Sequence, residues 1–146
     1  MIYFFDSSAL VKRYLQEKGS ETVVACLNEA DQVIVSSVSK LECFSTFRRL
    51  LRERIMTQYA YDQIKGELVV DFNEFVITPF GNIVEELSAE LIGLRQLKTL
   101  DAIQLASALV HRDILDSFVV SDRKLKQAAN TEGLKVLDPV DGKPPV

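Results

Sequence analysis

The chain has 146 residues but only one histidine and two cysteines, which limits the chemistry open to it. Cys26 and Cys43 share no ligand-like spacing with each other or with His111, so we expect two buried free thiols rather than a disulfide or a zinc site. Acid–base catalysis without a metal often uses a pair of groups such as two histidines. His111 stands alone near the end of a polar helix and is predicted to be a surface residue, so it does not supply such a pair.

Long apolar runs and a secretory start are also missing. The sequence is 47% hydrophobic and 26% charged with a net charge of −4, which is typical of a soluble globular protein, and no stretch has the length and lack of charge of a membrane span. The first six residues, MIYFFD, lack the basic start and small-residue cleavage site of a signal peptide. We therefore expect a cytoplasmic location and no contact with membranes.

Several phosphate-binding motifs are absent from the sequence. It contains neither Gly-x-x-x-x-Gly-Lys-Ser/Thr nor Gly-x-Gly-x-x-Gly, so neither a phosphate-loop NTPase nor a dinucleotide-binding protein has support. Phosphatases with an aspartyl nucleophile carry Asp-x-Asp after the first strand, whereas Ser8 stands at the second position after Asp6. A receiver domain would need paired acids after strand one and a phosphoacceptor after strand three, and both are missing.

The chain shows a regular alternation of short apolar runs and helical patterns, with no internal repeat or interior linker. Strands are predicted at residues 2–5, 32–36, 74–78, 117–121 and 134–137. Helices are predicted at residues 7–17, 20–30, 39–54, 57–72, 82–97, 100–112 and 123–131. This order predicts a three-layer α/β/α sandwich with a mostly parallel five-stranded sheet, because parallel neighbours need crossover helices. We expect one domain over residues 1–140 and a flexible tail over 141–146.

Four acidic residues stand where apolar runs meet predicted helices: Asp6, Glu42, Asp101 and Asp122. If the runs are strands of one sheet, this placement gathers four carboxylates at the edge where open α/β sheets bind ligands. Each acid also has a structural explanation, because carboxylates stabilise helix starts, and Ser39 with Glu42 has the spacing of a capping box. Taken singly, capping explains each of them well; taken together, they indicate a site.

A cluster of four carboxylates would oppose its own ionisation, and a divalent cation would remove that conflict. Oxygen ligands without histidine or cysteine suit Mg²⁺ or Mn²⁺, which take one or two carboxylates and several waters. One such ion activates a water molecule and a second stabilises a leaving oxygen in many nucleases. The sequence therefore favours metal-dependent hydrolysis of phosphodiester bonds.

Four motifs in this order resemble the PIN domain family, and more narrowly the VapC-type toxins of toxin–antitoxin pairs. They are FDSSALVK at residues 5–12, SVSKLE at 37–42, LDAIQLASA at 100–108 and VVSDRKL at 119–125. The similarity covers nearly the whole chain, and the third motif is the most specific. One position departs from the family pattern, because Val120 stands where a threonine or serine is common, with Ser121 one place later.

The resemblance implies an Mg²⁺- or Mn²⁺-dependent endoribonuclease that acts as a toxin. Its metal-binding and catalytic residues would be Asp6, Glu42, Asp101 and Asp122, and Ser7 and Ser121 would support them. It also implies a homodimer and inhibition by a cognate antitoxin protein. The departure at Val120 and the acidic net charge motivate an alternative, a catalytically weak or inactive module that binds RNA or a protein partner.

The acidic net charge argues against nucleic acid, but basic residues are locally concentrated. Residues 40–54 carry five basic side chains against two acidic ones. Such groups would hold RNA through its phosphates, without reading its bases, or would simply form a solvated surface. The candidates for RNA binding are Lys12, Arg13, Arg48, Arg49, Arg123 and Lys124.

Overall fold

A computed structural model describes residues 1–141, so the tail predicted for residues 141–146 lies outside the described part except for Asp141. Within residues 1–141 the chain forms five strands: β1 Ile2–Phe5, β2 Gln32–Ser36, β3 Val76–Thr78, β4 Ser117–Val119 and β5 Val136–Leu137. The same residues contain seven α-helices: α1 Ser7–Leu10, α2 Ser20–Glu29, α3 Ser39–Arg52, α4 Gln58–Glu74, α5 Asn82–Arg95, α6 Thr99–Leu109 and α7 Arg123–Thr131. None of these helices has the length and apolar character that crossing a bilayer requires.

The strands form one parallel sheet in the order β3-β2-β1-β4-β5. In the central register, Phe4 of β1 pairs with Ile34 of β2 on one side and with Phe118 of β4 on the other. The chain first adds β2 and β3 on one side of β1 and then crosses over to add β4 and β5 on the other. The direction of winding therefore reverses between β1 and β4, which creates a crevice beyond the carboxyl ends of these two strands.

Alternating side chains of the central strands supply two separate cores. Phe4, Ile34 and Phe118 pack on one face of the sheet with buried residues of α5, α6 and α7. Phe5 and Val35 pack on the opposite face with buried residues of α1, α2, α3 and α4. Successive strand residues point to opposite faces, so a strand buried on both sides reads as an uninterrupted apolar run. The predicted three-layer sandwich is confirmed, and so are the two buried free cysteines.

The first predicted helix, over residues 7–17, is wrong in its second half. After α1 the chain forms a 3₁₀ turn over Val11–Arg13 and then turns back. The hydroxyl of Ser20 donates to the carbonyl oxygen of Leu15 at 2.7 Å and accepts from the backbone of Glu17 at 3.0 Å. These bonds occupy backbone groups that a longer helix would use. The apolar periodicity of the sequence does not predict such bonds. Gly19, with a φ of 94°, is the N-cap residue of α2.

Candidate functional site

Asp6 and Asp122 stand on either side of the crevice between β1 and β4. The backbone N–H of Asp6 donates to the carbonyl oxygen of Val119 at 3.0 Å, which extends the pairing of the two strands. The carboxylate of Asp6 is buried and caps α1 by accepting the N–H of Ser8 at 3.0 Å. Asp122 is exposed and caps α7 by accepting the N–H of Leu125 at 2.8 Å. Both acids therefore cap helices and also lie together at the sheet edge.

The hydroxyl of Ser8 joins these two acids. It donates to the carboxylate of Asp6 and accepts the backbone N–H groups of Ser121 and Asp122 at 3.2 and 3.3 Å. One side chain thus ties the end of β1 to the chain leaving β4. In the sequence, Ser8 stands out only as a departure from the Asp-x-Asp pattern. Its position two residues after a predicted site acid was the signal that could have identified it.

Glu42 does not cap α3, so the predicted capping box is wrong. The helix starts at Ser39 after an N-cap residue, Val38, that makes no side-chain cap bond. The Oε1 atom of Glu42 instead accepts the hydroxyl of Ser7 at 2.9 Å and the amide of Gln104 at 2.8 Å. The carboxylate therefore faces α1 and α6 rather than its own helix start. Sequence spacing alone predicts the capping box. Glu42 instead bonds to Ser7 and Gln104, which are distant in sequence.

Asp101 lies half-buried in the first turn of α6 without capping it. The N-cap residue is Lys98, which makes no side-chain cap bond. Burial raises the pKa of Asp101 first, and the negative charges of Asp122 and Glu42 raise this pKa further. Lys98 and Lys124 act in the opposite direction and lower the pKa of Asp101. This carboxylate therefore interacts electrostatically with acids from α3 and from the end of β4.

The carboxylate of Asp6 has a strongly raised pKa. Its burial raises its pKa to about 7, an effect that the hydrogen bonds from Ser8 oppose and the charges of Glu42 and Asp101 reinforce. Asp6 therefore interacts with the acids of α3 and α6, and Asp101 interacts with Glu42 and Asp122. These pairwise effects connect all four predicted residues.

The donor set of this acidic site fits a small hard cation. Carboxylate oxygens predominate, and burial, reinforced by the charges of neighbouring acids, raises the pKa values of Asp6 and Asp101. Across residues 1–141, no three histidine, cysteine, aspartate or glutamate side chains are arranged so that they could together hold one metal ion. An ion bound here would therefore contact one or two carboxylates and keep several waters, which is how Mg²⁺ binds in proteins.

The two predicted supporting serines differ in their surroundings. Ser7 is buried and donates to Glu42, which places it in the acidic site. The hydroxyl of Ser121 is buried and has no hydrogen-bond partner, although its backbone N–H donates to Ser8. Val120 is fully buried in the core beneath α5, α6 and α7. The hydroxyl that contacts Asp6 thus comes from Ser8, in the first turn of α1, and not from the chain after β4.

Two of the six basic candidates have their charges engaged within the protein. Lys12 is buried, and its ammonium lies 3.1 Å from Glu17. Arg13 pairs with Glu67 and Asp71 of α4 at 3.6 and 3.5 Å. Both side chains therefore connect the segment after α1 to neighbouring parts of the fold.

The other four basic candidates are exposed. Arg48 lies over the ring of Tyr61, with 5.7 Å from its guanidinium carbon to the ring centre, and Arg49 pairs with Glu53 at 3.3 Å. Arg123 and Lys124 directly follow Asp122 and open α7. The structure adds Lys98, which sequence reasoning missed: it is exposed, precedes α6 and affects the acidity of Asp101 together with Lys124.

An open groove of about 520 Å³ leads to the acidic site. Ser7, Ser8 and Glu42 line its polar side, and Leu41 and Leu100 contribute to its apolar side. These two leucines are 70% and 47% exposed, so apolar surface lies next to the carboxylates. The groove makes the site accessible to a large ligand.

His111 is not the free surface residue that was predicted. It is partly buried, and its Nε2 atom lies 2.8 Å from the hydroxyl of Thr78 at the end of β3. Burial lowers the pKa of His111. It takes no part in the acidic site, so no histidine complements the carboxylates there.

Comparison with known proteins agrees with the fold. The sequence model of the PIN domain matches residues 3–130. A toxin–antitoxin complex from Klebsiella pneumoniae has a similar fold at 20% identity, with a TM-score of 0.67 over 94% of this chain and 97% of that chain. FitAcB from Neisseria gonorrhoeae is 18% identical, with a TM-score of 0.70 over 97% of this chain and 99% of that one.

A third solved structure, VapBC2 from Rickettsia felis bound to a promoter DNA fragment, is 16% identical, with a TM-score of 0.66 over 94% of this chain and 98% of that chain. Identities this low establish a shared fold and nothing finer. No protein of curated function matches the sequence significantly.

Proposed function

The chain belongs to the PIN domain family, and from this premise we propose that it is an Mg²⁺- or Mn²⁺-dependent endoribonuclease, the toxin of a toxin–antitoxin pair. PIN domains are generally nucleases, which supports phosphodiester hydrolysis as the reaction class. The observation that carries the proposal is the convergence of Asp6, Glu42, Asp101 and Asp122 from four separate elements onto one sheet edge.

In this proposal the four carboxylates form the metal site, and one or two of them would bind the ion directly. A bound ion would lower the pKa of a water molecule and so supply a nucleophile at neutral pH. Ser8 keeps the carboxylate of Asp6 at the end of β1, and Ser7 donates to Glu42 from the other side. The protein thus contributes fixed positions and negative charge.

The phosphates of RNA need positive partners beside this negative site. Lys98 and Lys124 are exposed and close enough to Asp101 to lower its pKa, so they are well placed for that role. Arg123 is a third candidate, because it directly follows Asp122. Contacts of this kind bind any RNA sequence and position it for cleavage.

The proposed partners are a cognate antitoxin and a second copy of the chain. The antitoxin is supported by the structural neighbours described as toxin–antitoxin complexes. A homodimer is supported by an apolar patch in which Ile83 and Val110 line one groove and are 68% and 43% exposed. A toxin that cleaves RNA would act in the cytoplasm.

An alternative is a weak or inactive module of the same family that binds RNA or a protein. Two observations favour it: Val120 is in the core, and the hydroxyl of Ser121 bonds to none of the carboxylates. In an active enzyme, Ser8 would take over the place of a hydroxyl from the chain after β4.

Substitution of Asp6 separates the two functions. The Asp6→Asn variant keeps the cap acceptor for Ser8 but removes the charge, so it should fold and lose nearly all cleavage of RNA in Mn²⁺. Asp113→Asn, at an exposed carboxylate that does not interact with the site, is the matched control and should cleave like the wild type. Equal cleavage by Asp6→Asn and the wild type would show the site assignment to be wrong. Absence of both cleavage and Mn²⁺ binding in the wild type would favour the inactive module.

A further inference from the structure

Helix α6 carries one buried amide side chain among mostly apolar residues. Gln104 lies three residues after Asp101, between Ile103 and Leu105, and only 1% of it is exposed. Glutamine is mostly found at protein surfaces, because burial requires partners for both ends of the amide. The position of Gln104 therefore calls for an explanation beyond apolar packing.

The amide nitrogen of Gln104 faces three oxygen atoms. Its Nε2 lies 2.8 Å from Ser7 Oγ, 2.9 Å from Ser39 Oγ and 2.8 Å from Glu42 Oε1. Ser7 belongs to α1, and the other two residues belong to α3. One amide on α6 thus joins three helices next to the acidic site.

Glu42 determines which end of the amide faces it. The hydroxyls of Ser7 and Ser39 can donate or accept, so they would tolerate either the nitrogen or the oxygen of Gln104. An ionised carboxylate can only accept, and an amide oxygen 2.8 Å away would place two acceptors against each other. The nitrogen must therefore face Glu42.

This orientation leaves the other end of the amide without a partner. Gln104 Oε1 and Ser121 Oγ are the two buried side-chain nitrogen or oxygen atoms without a hydrogen bond in the part of the chain that the structure describes. A buried acceptor without a donor destabilises a fold. Methionine or leucine would fill the same space without an unpaired oxygen, but neither could donate to Ser39 and Glu42.

We propose that Gln104 is a positioning residue whose amide fixes the orientation of the Glu42 carboxylate within the acidic site. Gln104 acts through Glu42 and touches neither substrate nor reacting atoms. The role rests on the proposed function, since the orientation of Glu42 matters when that carboxylate holds an ion. Hydrogen-bond partners of metal-binding carboxylates typically contribute about 10- to 100-fold to metal affinity or activity.

The Gln104→Met variant tests the proposal, because methionine has nearly the same size and shape but no amide. Titration calorimetry should show a dissociation constant for Mn²⁺ raised on the order of tenfold. The variant should remain folded by circular dichroism. At saturating Mn²⁺, kcat for RNA cleavage should fall while KM for RNA stays unchanged, since Gln104 does not contact RNA.

Two further variants keep the test decisive. Gln104→Asn retains a buried amide but withdraws it from Glu42 by one methylene, so it should also bind Mn²⁺ more weakly, and it replaces the methionine variant if that one does not fold. Ser107→Ala is the matched control: Ser107 is buried on the same helix, and its hydroxyl donates to the carbonyl of Ile103 at 2.7 Å. This control should bind Mn²⁺ like the wild type.

A double-mutant cycle tests whether Gln104 acts through Glu42. In a Glu42→Gln background, Gln104→Met should cause no further loss of Mn²⁺ affinity. Unchanged Mn²⁺ affinity in both single Gln104 variants would overturn the positioning role, and so would an equal loss in the Glu42→Gln background. A wild-type protein that binds no Mn²⁺ at millimolar concentration would instead refute the proposed function, and the role of Gln104 with it.

Discussion

The backbone nitrogen of Asp6 donates to the carbonyl oxygen of Val119 at 3.0 Å, so the pairing of β1 with β4 extends to the first residue of the acidic site. Asp6 is thus held by the sheet itself and not by a loop. Elements of a sheet position functional groups more rigidly than loops do. The cost of this placement is burial, and burial is the largest contribution to the raised pKa of Asp6.

The first prediction concerns the pH dependence of the metal-free protein. The pKa of Asp6 is about 7 in the folded state against an ordinary value of 3.8, so the folded state binds this proton more tightly than the unfolded state. The free energy of unfolding should therefore fall as pH rises from about 4 to about 7. At about 1.4 kcal/mol for each unit of pKa, the loss is on the order of a few kcal/mol.

Urea unfolding of the wild type and of Asp6→Asn across this pH range measures that loss. The variant has no charge to bury, so the difference in stability between the two proteins should grow with pH in favour of the variant. The comparison isolates Asp6, because the burial of His111, which lowers the pKa of that residue, is common to both proteins. A pH-independent difference would contradict the raised pKa of Asp6.

The second prediction concerns stabilisation by metal at neutral pH. An ion that binds only the folded state at 100 times its dissociation constant should raise the free energy of unfolding by about 2.7 kcal/mol. Thermal unfolding in MnCl₂ should therefore show a higher melting temperature for the wild type and a smaller rise for Asp101→Asn. Asp113→Asn should shift as the wild type does, and an equal shift in all three proteins would place the ion elsewhere.

The third prediction concerns the contacts of Lys98 and Lys124 with RNA phosphates. Measured in an Asp6→Asn background that prevents cleavage, either lysine→Ala change should weaken RNA binding for every sequence tested. Each change should also reduce the slope of log affinity against log salt by about 0.7, the value for one phosphate contact on a single strand. Lys135→Ala, an exposed lysine at the amino end of β5, serves as the control. An unchanged salt slope in the Lys98 and Lys124 variants would argue against phosphate contacts.

The fourth prediction concerns the proposed homodimer. Ile83→Asp places a charge in the exposed apolar patch at the start of α5 and should convert a dimer to a monomer in light scattering, because a buried unpaired charge is strongly unfavourable. Ile114→Asp, at another exposed isoleucine, should leave the dimer intact. Dimers in both variants would show that the interface lies elsewhere, and a monomeric wild type would exclude the homodimer.

The fifth prediction concerns the two thiols. Burial raises the pKa of Cys26 to about 11 and that of Cys43 to about 12, so almost no thiolate exists at neutral pH. Both thiols should resist iodoacetamide in the native protein at pH 7.5 and react fully in 6 M guanidinium chloride. Rapid native alkylation of either cysteine, read by mass spectrometry, would contradict its burial.

Local patterns in the sequence were enough to predict the strands, most of the helices and the layers. A strand buried on both faces must be apolar at successive positions, and β1 and β4 are recognisable for that reason. The end of such a run marks the sheet edge, which is how Asp6 and Asp122 could be placed there from sequence. The caps that these two acids form were also predictable, because a cap bond joins residues that are neighbours in sequence.

The hydrogen-bond partners of Ser20, Ser39 and Glu42 depend on the tertiary structure. Ser39 and Glu42 have the spacing of a capping box, but both side chains bond to Gln104 on a helix some sixty residues away. The segment after α1 has helical periodicity, but the hydroxyl of Ser20 takes its backbone groups. A serine or a carboxylate bonds about equally well to a near or a distant donor. Sequence therefore determined which elements carry the four acids, and the distances set by strand order and helix packing determined which side chains bond to them.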